Sequence, residues 1–355
     1  MKETNAIKSF KRFLLAGLIG ASGLGFSASI YGEDKTPLWA YAPDTISPEW
    51  GEFIAEKGKH REHALPALDD IGGWKKFQAA AAEAGESRAD EIAAAFNVSY
   101  TEIGLGGVPI VEVTPNDLKH SDKIVVYTHG GGYVLFSAKS AMHTSALLAA
   151  ATGLKVYSVD YTLAPHSKWE NTTGEVVSVF KALLENGYEM DQIVLCGDSA
   201  GGGLAAGSTL KMRDLGMGMP AALVLWSPWA DISRRGDTLV TLADAEVFYT
   251  YESVLGPASL AYADPGDHMH PYASPVYGDF SKGYPPTLIQ GGTKEILLSG
   301  IIRLYQAIDQ AGQIVKLDLY EGMPHVFPPI LPKSKESRVA MKKVNAWVTE
   351  HLGLN

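Results

Sequence analysis

The stretch Gly197-Asp198-Ser199-Ala200-Gly201 places a serine hydroxyl between two glycines at G-x-S-x-G spacing. The apolar, β-branched segment Gln192-Ile193-Val194-Leu195 precedes it, and a small-residue-rich, proline-free segment from Gly201 to Leu215 follows. A buried strand that turns sharply into a helix is the context in which such a serine becomes a nucleophile. The glycines let the turn close and the backbone come near. The helix N-terminus behind it points unpaired N–H groups and a positive dipole end at the reacting atoms. Acyl transfer is the chemistry this suggests. It also needs a base, a group that orients the base, and N–H donors for a developing oxyanion.

Candidates for each role occur elsewhere in the chain. His129-Gly130-Gly131-Gly132-Tyr133 follows a strand expected over Lys123 to Thr128, and its glycines offer bare backbone N–H groups to a substrate. The N–H of Ala200 completes the hole, and His129 is read as an anchor for the loop. His325, in Glu321-Gly322-Met323-Pro324-His325-Val326-Phe327, comes just after the last expected strand and is the candidate base. Gly291-Gly292-Thr293-Lys294-Glu295 follows the strand before that and offers Glu295 as the acid, whereas Asp309 and Asp318 fall inside a helix and a strand. Serine, acid and histidine then appear in the chain order expected for this site. Asp198 is read as structural. Asp267-His268-Met269-His270 resembles a metal-ligand run but lacks further cysteine or histidine at fixed spacing, and is read as a polar loop.

The elements needed to position these groups alternate along the chain. Val98 to Leu105 and Pro109 to Val113 form a hairpin about Gly106-Gly107. Further strands are expected at Lys155 to Asp160, Gln192 to Cys196, Ala222 to Trp226, Thr287 to Gln290 and Val315 to Tyr320. Helices are expected at Ser140 to Thr152, Glu175 to Asn186, Gly201 to Leu215, Ser299 to Ala311 and Lys335 to Leu352. This alternation implies an α/β fold: a mostly parallel central sheet, helices on both faces, and catalytic groups at the carboxyl ends of the strands. Residues 33–97 are helical and irregular and are read as an N-terminal helical cap, with helix starts at Ser47-Pro48 and at Ser87. Residues 98–355 form the catalytic domain, and the aromatic, acidic stretch 231–271 is a lid insertion over the site.

The 355 residues suffice for one α/β domain with a cap. Lys2, Lys8, Lys11 and Arg12 precede the apolar Phe13 to Phe26, and small residues Ser27, Ala28 and Ser29 follow, the order of a secretory signal over residues 1–32. Losing that segment removes four basic residues and one acid and takes the net charge from −10 to −13. A balance this acidic argues against nucleic-acid partners. The apolar stretch is short for a span, so the mature chain is expected to be exported to a periplasm or secreted, without stable membrane insertion. The single cysteine, Cys196, lies in an expected core strand and packs there as a small hydrophobe.

Taken together, HGGG at His129 to Gly132 and GDSAGG at Gly197 to Gly202 resemble the paired signatures of the hormone-sensitive-lipase family of bacterial esterases, within the α/β-hydrolase fold. Asp160-Tyr161-Thr162-Leu163-Ala164-Pro165, Ser227-Pro228-Trp229-Ala230-Asp231, Ala273-Ser274-Pro275, Glu295-Ile296-Leu297 and Gly322-Met323-Pro324-His325 extend the resemblance from Lys123 to Phe327. The resemblance implies that Ser199 is the nucleophile, His325 the base, Glu295 the acid, and Gly131, Gly132 and Ala200 the oxyanion donors. It implies a serine carboxylesterase for small-molecule esters of short to medium acyl chains, needing neither metal nor organic cofactor, in a family that often forms homodimers. Lactone hydrolysis, amide or peptide cleavage, and a ligand receptor built on the same fold are the alternatives. Thr162 and His166 stand where the family usually has arginine and glutamate, which bears on substrate preference.

Overall fold

The computed structural model describes residues 36–59 and 64–354, so the expected signal sequence at 1–32 lies outside the described residues. Eight strands form one sheet: β1 (Val98–Leu105), β2 (Val108–Pro115), β3 (His120–Thr128), β4 (Leu154–Val159), β5 (Ile193–Asp198), β6 (Ala222–Trp226), β7 (Thr287–Gly292) and β8 (Val315–Tyr320), in the order β1-β2-β4-β3-β5-β6-β7-β8. β2 pairs antiparallel with both its neighbours, and every other pairing is parallel. The β1–β2 pair needs only the short turn at Gly106-Gly107, while the parallel pairs need crossovers, which the helices supply.

The helices are α1 (Pro48–Lys57), α2 (Ile71–Glu86), α3 (Ala89–Ala95), α4 (Met142–Thr152), α5 (Trp169–Glu185), α6 (Ser199–Asp214), α7 (Gly256–Tyr262), α8 (Leu298–Gln310) and α9 (Lys335–His351), with shorter turns between them. The central strands are buried on both faces, as a parallel sheet covered by helices requires. Val126, Leu195, Leu225 and Ile289 pack on one face with Phe180 of α5, Leu204 of α6 and Leu304 of α8. Their strand neighbours Val125, Val194, Val224 and Leu288 pack on the other face with Leu148 of α4 and Val344 of α9. Cys196 belongs to this second face, buried as expected, and burial pushes its thiol pKa up. Among the described residues no helix is long and apolar enough to cross a membrane.

Sheet register sets where the chemistry falls. Thr128 of β3 pairs with Gly197 of β5, Asp198 with Trp226 of β6, and Trp226 with Gln290 of β7, while Gly292 at the end of β7 pairs with Tyr320 of β8. Five strands therefore end along one edge. The loops beginning at His129, Ser227, Thr293 and Glu321, and helix α6 beginning at Ser199, all leave from that edge.

Several boundaries differ from the sequence expectation, two of them for a visible reason. α5 starts at Trp169, six residues before Glu175, because Trp169, Thr172 and Thr173 are buried and extend its inner face. Ser87 does not cap α3; Arg88 occupies that position, and Ser87 closes α2 with its N–H on the carbonyls of Glu83 and Gly85. Ser47 does sit at the α1 N-cap, but its hydroxyl donates to Glu336 Oε2 at 2.6 Å instead of bonding the first turn.

The turn between β5 and α6 depends on two close approaches. A Cβ at Gly197 would lie 2.3 Å from the Gly201 carbonyl oxygen, and one at Gly201 would lie 2.1 Å from that of Thr128. Backbone atoms cannot yield as a flexible side chain would. Gly201→Ala is therefore expected to cost about 3 kcal/mol of stability, measured as a lowered chemical-denaturation midpoint. An unchanged midpoint would show that β3 is not held against the turn in this way.

Candidate active site

Ser199 is the first residue of α6 and has φ 53°, left-handed for a residue with a side chain. Such a conformation costs free energy and persists where neighbouring contacts enforce it. Here the flanking glycine contacts enforce it, and the Ser199 carbonyl accepts from the Trp229 N–H at 2.7 Å. The side chain thereby reaches the loop after β8, where Ser199 Oγ lies 2.9 Å from His325 Nε2. On the far side of the ring, His325 Nδ1 lies 2.8 Å from Glu295 Oε2. All three side chains are buried, and Glu295 has no exposed surface.

Glu295 Oε1 accepts from the Gly292 N–H at 2.7 Å and from the Ser227 hydroxyl at 2.8 Å. Ser227 Oγ in turn accepts from the Val326 N–H at 3.0 Å, which ties the acid to the residue after the histidine. Burial of the His325 ring opposes its charge. The hydrogen bond and charge of Glu295, with Glu246 and Asp198 in support, outweigh that, and the imidazole titrates above its ordinary value.

The glycine-rich loop lies alongside. The Gly130 N–H donates to Asp198 Oδ1 at 3.1 Å, whereas no hydrogen bond among the described residues uses the N–H of Gly131 or Gly132. Asp198 also accepts from the Tyr127 hydroxyl, so its carboxylate ties the glycine-rich loop to β3, and burial raises its pKa. His129 is buried with its ring stacked on Tyr161 at 4.3 Å and Nδ1 2.7 Å from the Gly130 carbonyl oxygen, and burial lowers its pKa. These contacts hold the loop, and none involves Ser199.

Helix α7, within the expected lid, packs on the same loop. A Cβ at Gly132 would lie 3.6 Å from that of Ala258, and the Tyr133 and Tyr262 rings stack at 3.6 Å. Tyr249 meets His325 edge-on at 5.3 Å. The Thr162 N–H and hydroxyl donate to the two carboxylate oxygens of Glu175 at 2.8 and 2.6 Å, and His166 Nε2 lies 3.0 Å from Gln78 Oε1. In the histidine-bearing loop 267–270, the His270 ring stacks on Trp169 at 4.1 Å and Asp267 accepts from the Trp169 indole N–H at 3.3 Å.

All six residues expected from the sequence thus gather at one sheet edge. Two further residues at this site were given no role there. Ser227 opens the Ser227-Pro228-Trp229-Ala230-Asp231 match and sits directly after β6, at the same edge. Glu246 lies in the lid stretch with no local motif around it.

A family model described as the alpha/beta hydrolase fold matches residues 125–329. The chain belongs to the α/β-hydrolase family, among the hormone-sensitive-lipase-type esterases. An acetyl-hydrolase of Streptomyces hygroscopicus is 35% identical over 240 residues, covering 66% of this chain and 78% of its own. The crystal structure of an esterase designated E25 is similar at a TM-score of 0.81 and 28% identity, over 87% of this chain and 96% of that one. An esterase of the bacterial hormone-sensitive lipase family matches at 0.75 and 28%, over 88% and 100%. The protein is a carboxylic ester hydrolase.

The Glu295–His325 contact gives this esterase a direction of pH dependence. For His325 to serve as a base its ring must be neutral, so under that role kcat/KM is expected to rise with pH through a value above 6.5. The stability that the Glu295–His325 pair contributes is complete below the unfolded histidine pKa and is lost as pH rises through the folded one. Glu295→Gln is expected to lower kcat by about 10³- to 10⁴-fold and to move the acid limb to lower pH. A variant with an unmoved limb would show that the carboxylate does not act on the ring.

Proposed function

We propose that the protein is a serine carboxylesterase acting through an acyl-enzyme on Ser199. Ser199 Oγ attacks the ester carbonyl carbon while its proton passes to His325 Nε2. The carbonyl π electrons move onto oxygen, and the N–H groups of Gly131, Gly132 and Ala200 stabilise the oxyanion. Collapse breaks the bond to the alkoxide, which leaves as alcohol with the proton from His325. Water then attacks the acyl-enzyme with His325 again as base, releasing the acid and restoring Ser199. Glu295 holds the Nδ1–H tautomer and offsets the imidazolium charge.

The observation that carries this reading is the unbroken chain from Ser199 Oγ to His325 at 2.9 Å and from His325 to Glu295 at 2.8 Å. The substrates proposed are esters of short to medium acyl chains, acetyl esters foremost. Support comes from the acetyl-hydrolase relative and from α7 lying against the oxyanion loop. Lid residues at that position limit the length an acyl chain can extend.

Ser199→Ala is expected to lower kcat for p-nitrophenyl acetate by about 10⁴-fold or more while the circular-dichroism spectrum stays unchanged. Across a p-nitrophenyl series, kcat/KM should be highest for acetate to butyrate and fall for longer acids. Wild-type turnover by the alanine variant would overturn the mechanism, and a preference for long acyl chains would overturn the substrate class.

A further inference from the structure

A second carboxylate, Glu246, is buried beside the triad with no exposed surface and is not part of the relay described above. It belongs to the lid stretch, yet its bonds reach the acid loop. Oε1 accepts from the backbone N–H groups of Val247 at 2.9 Å and Phe248 at 3.0 Å, and Oε2 accepts from that of Ile296 at 3.2 Å. Ile296 is the residue after Glu295. Its carbonyl oxygen accepts from the Thr238 hydroxyl at 2.8 Å, and the same hydroxyl accepts from the Ser299 N–H at 2.9 Å. Both backbone polar groups of the residue next to the acid are thus satisfied by side chains of the lid stretch.

Three N–H donors converging on one buried side chain suit a carboxylate, which accepts on both oxygens. An amide of the same shape can accept only through its carbonyl and would turn an N–H toward one of these donors. The charge also matters to the ring. Glu246, Glu295 and His325 act on one another electrostatically, with Asp198 facing His325 from the elbow, Lys294 facing Glu246 from the acid loop, and Tyr249 edge-on to the imidazole.

Building on the triad reading above, we infer that Glu246 is a positioning residue, its carboxylate pegging the Glu295 loop to the lid and adding negative charge behind the His325 imidazolium. Burial, as the largest influence, pushes its own pKa up to about 7, His325 opposing and Glu295 adding to the rise. The peg is therefore weakest in mildly acidic solution, where the triad base is also protonated.

The test is the pH profile of p-nitrophenyl acetate hydrolysis for wild type, Glu246→Gln, Glu246→Asp and Ser199→Ala, with melting curves for each. Glu246→Gln is expected to lower kcat by about 10- to 100-fold with KM little changed. The midpoint of its kcat/KM acid limb should move down by about half a pH unit or more, because a charge that raises the His325 pKa is gone. Glu246→Asp keeps the charge and should hold the midpoint near wild type, with a kcat between the other two. If Glu246→Gln does not fold, the aspartate decides alone: a reduced kcat at an unmoved midpoint supports the role, and a wild-type kcat overturns it. A folded Glu246→Gln with wild-type kcat and an unmoved limb overturns it as well, even if it melts lower. Ser199→Ala separates the two readings: an inactive alanine variant beside a fully active glutamine variant sinks only the role of Glu246, whereas an active alanine variant sinks the triad.

Discussion

A carboxylate with no exposed surface must have its oxygens matched by donors, because the hydration it gives up is worth far more than any one contact. Glu295 meets that demand with the Gly292 N–H, the Ser227 hydroxyl and His325 Nδ1. Those donors come from the end of β7, the end of β6 and the loop after β8. Satisfying one side chain therefore fixes three loops relative to one another. The backbone reinforces this: the Lys294 N–H donates to the Met323 carbonyl oxygen at 3.1 Å, and the Thr293 hydroxyl accepts from the Gly322 N–H at 2.9 Å. The acid turn and the histidine loop are in effect one stitched unit.

The N-terminal segment fastens to the same unit. The Lys294 ammonium donates to the carbonyl oxygens of Leu38, Trp39 and Tyr41 at 3.0, 3.1 and 2.6 Å, and the Thr45 hydroxyl donates to Glu321 at 2.7 Å. Trp50 of α1 packs edge-on against Phe327 at 6.2 Å and donates its indole N–H to Ser334. Residues far from Ser199 in sequence thus hold the His325 ring and Glu295 in line with its hydroxyl. The left-handed serine is the opposing element. It stays put because β3 backbone crowds the turn from below and Trp229 binds its carbonyl from the side.

Much of this was legible in the sequence, for reasons that can be named. Turns that need glycine announce themselves, so Gly197, Gly201 and the run Gly130-Gly131-Gly132 mark the tight turn at Ser199 and the loop beside it in the sequence alone. β-Branched runs gave the buried strands, and their order implied that acid and base follow successive strands at one edge. The site residues that received no role act through distant partners. Ser227 is only the first residue of a matching motif until Glu295 and Val326 are seen to share its hydroxyl. Glu246 is one acid among several in a polar stretch until Ile296 is brought against it. Ser47 looked like an ordinary helix cap, but its hydroxyl serves Glu336, 289 residues away. Hydrogen bonds of that span leave no periodic or local trace, so sequence patterns cannot report them.

The most direct test of the account is a crystal structure of the wild-type enzyme after reaction with a small p-nitrophenyl alkylphosphonate. The account predicts density continuous from Ser199 Oγ to phosphorus, with one phosphonyl oxygen about 3 Å from the N–H groups of Gly131, Gly132 and Ala200. His325 should remain between Ser199 and Glu295. Phosphorus bonded to any other side chain, or a phosphonyl oxygen turned away from the glycine loop, would contradict it.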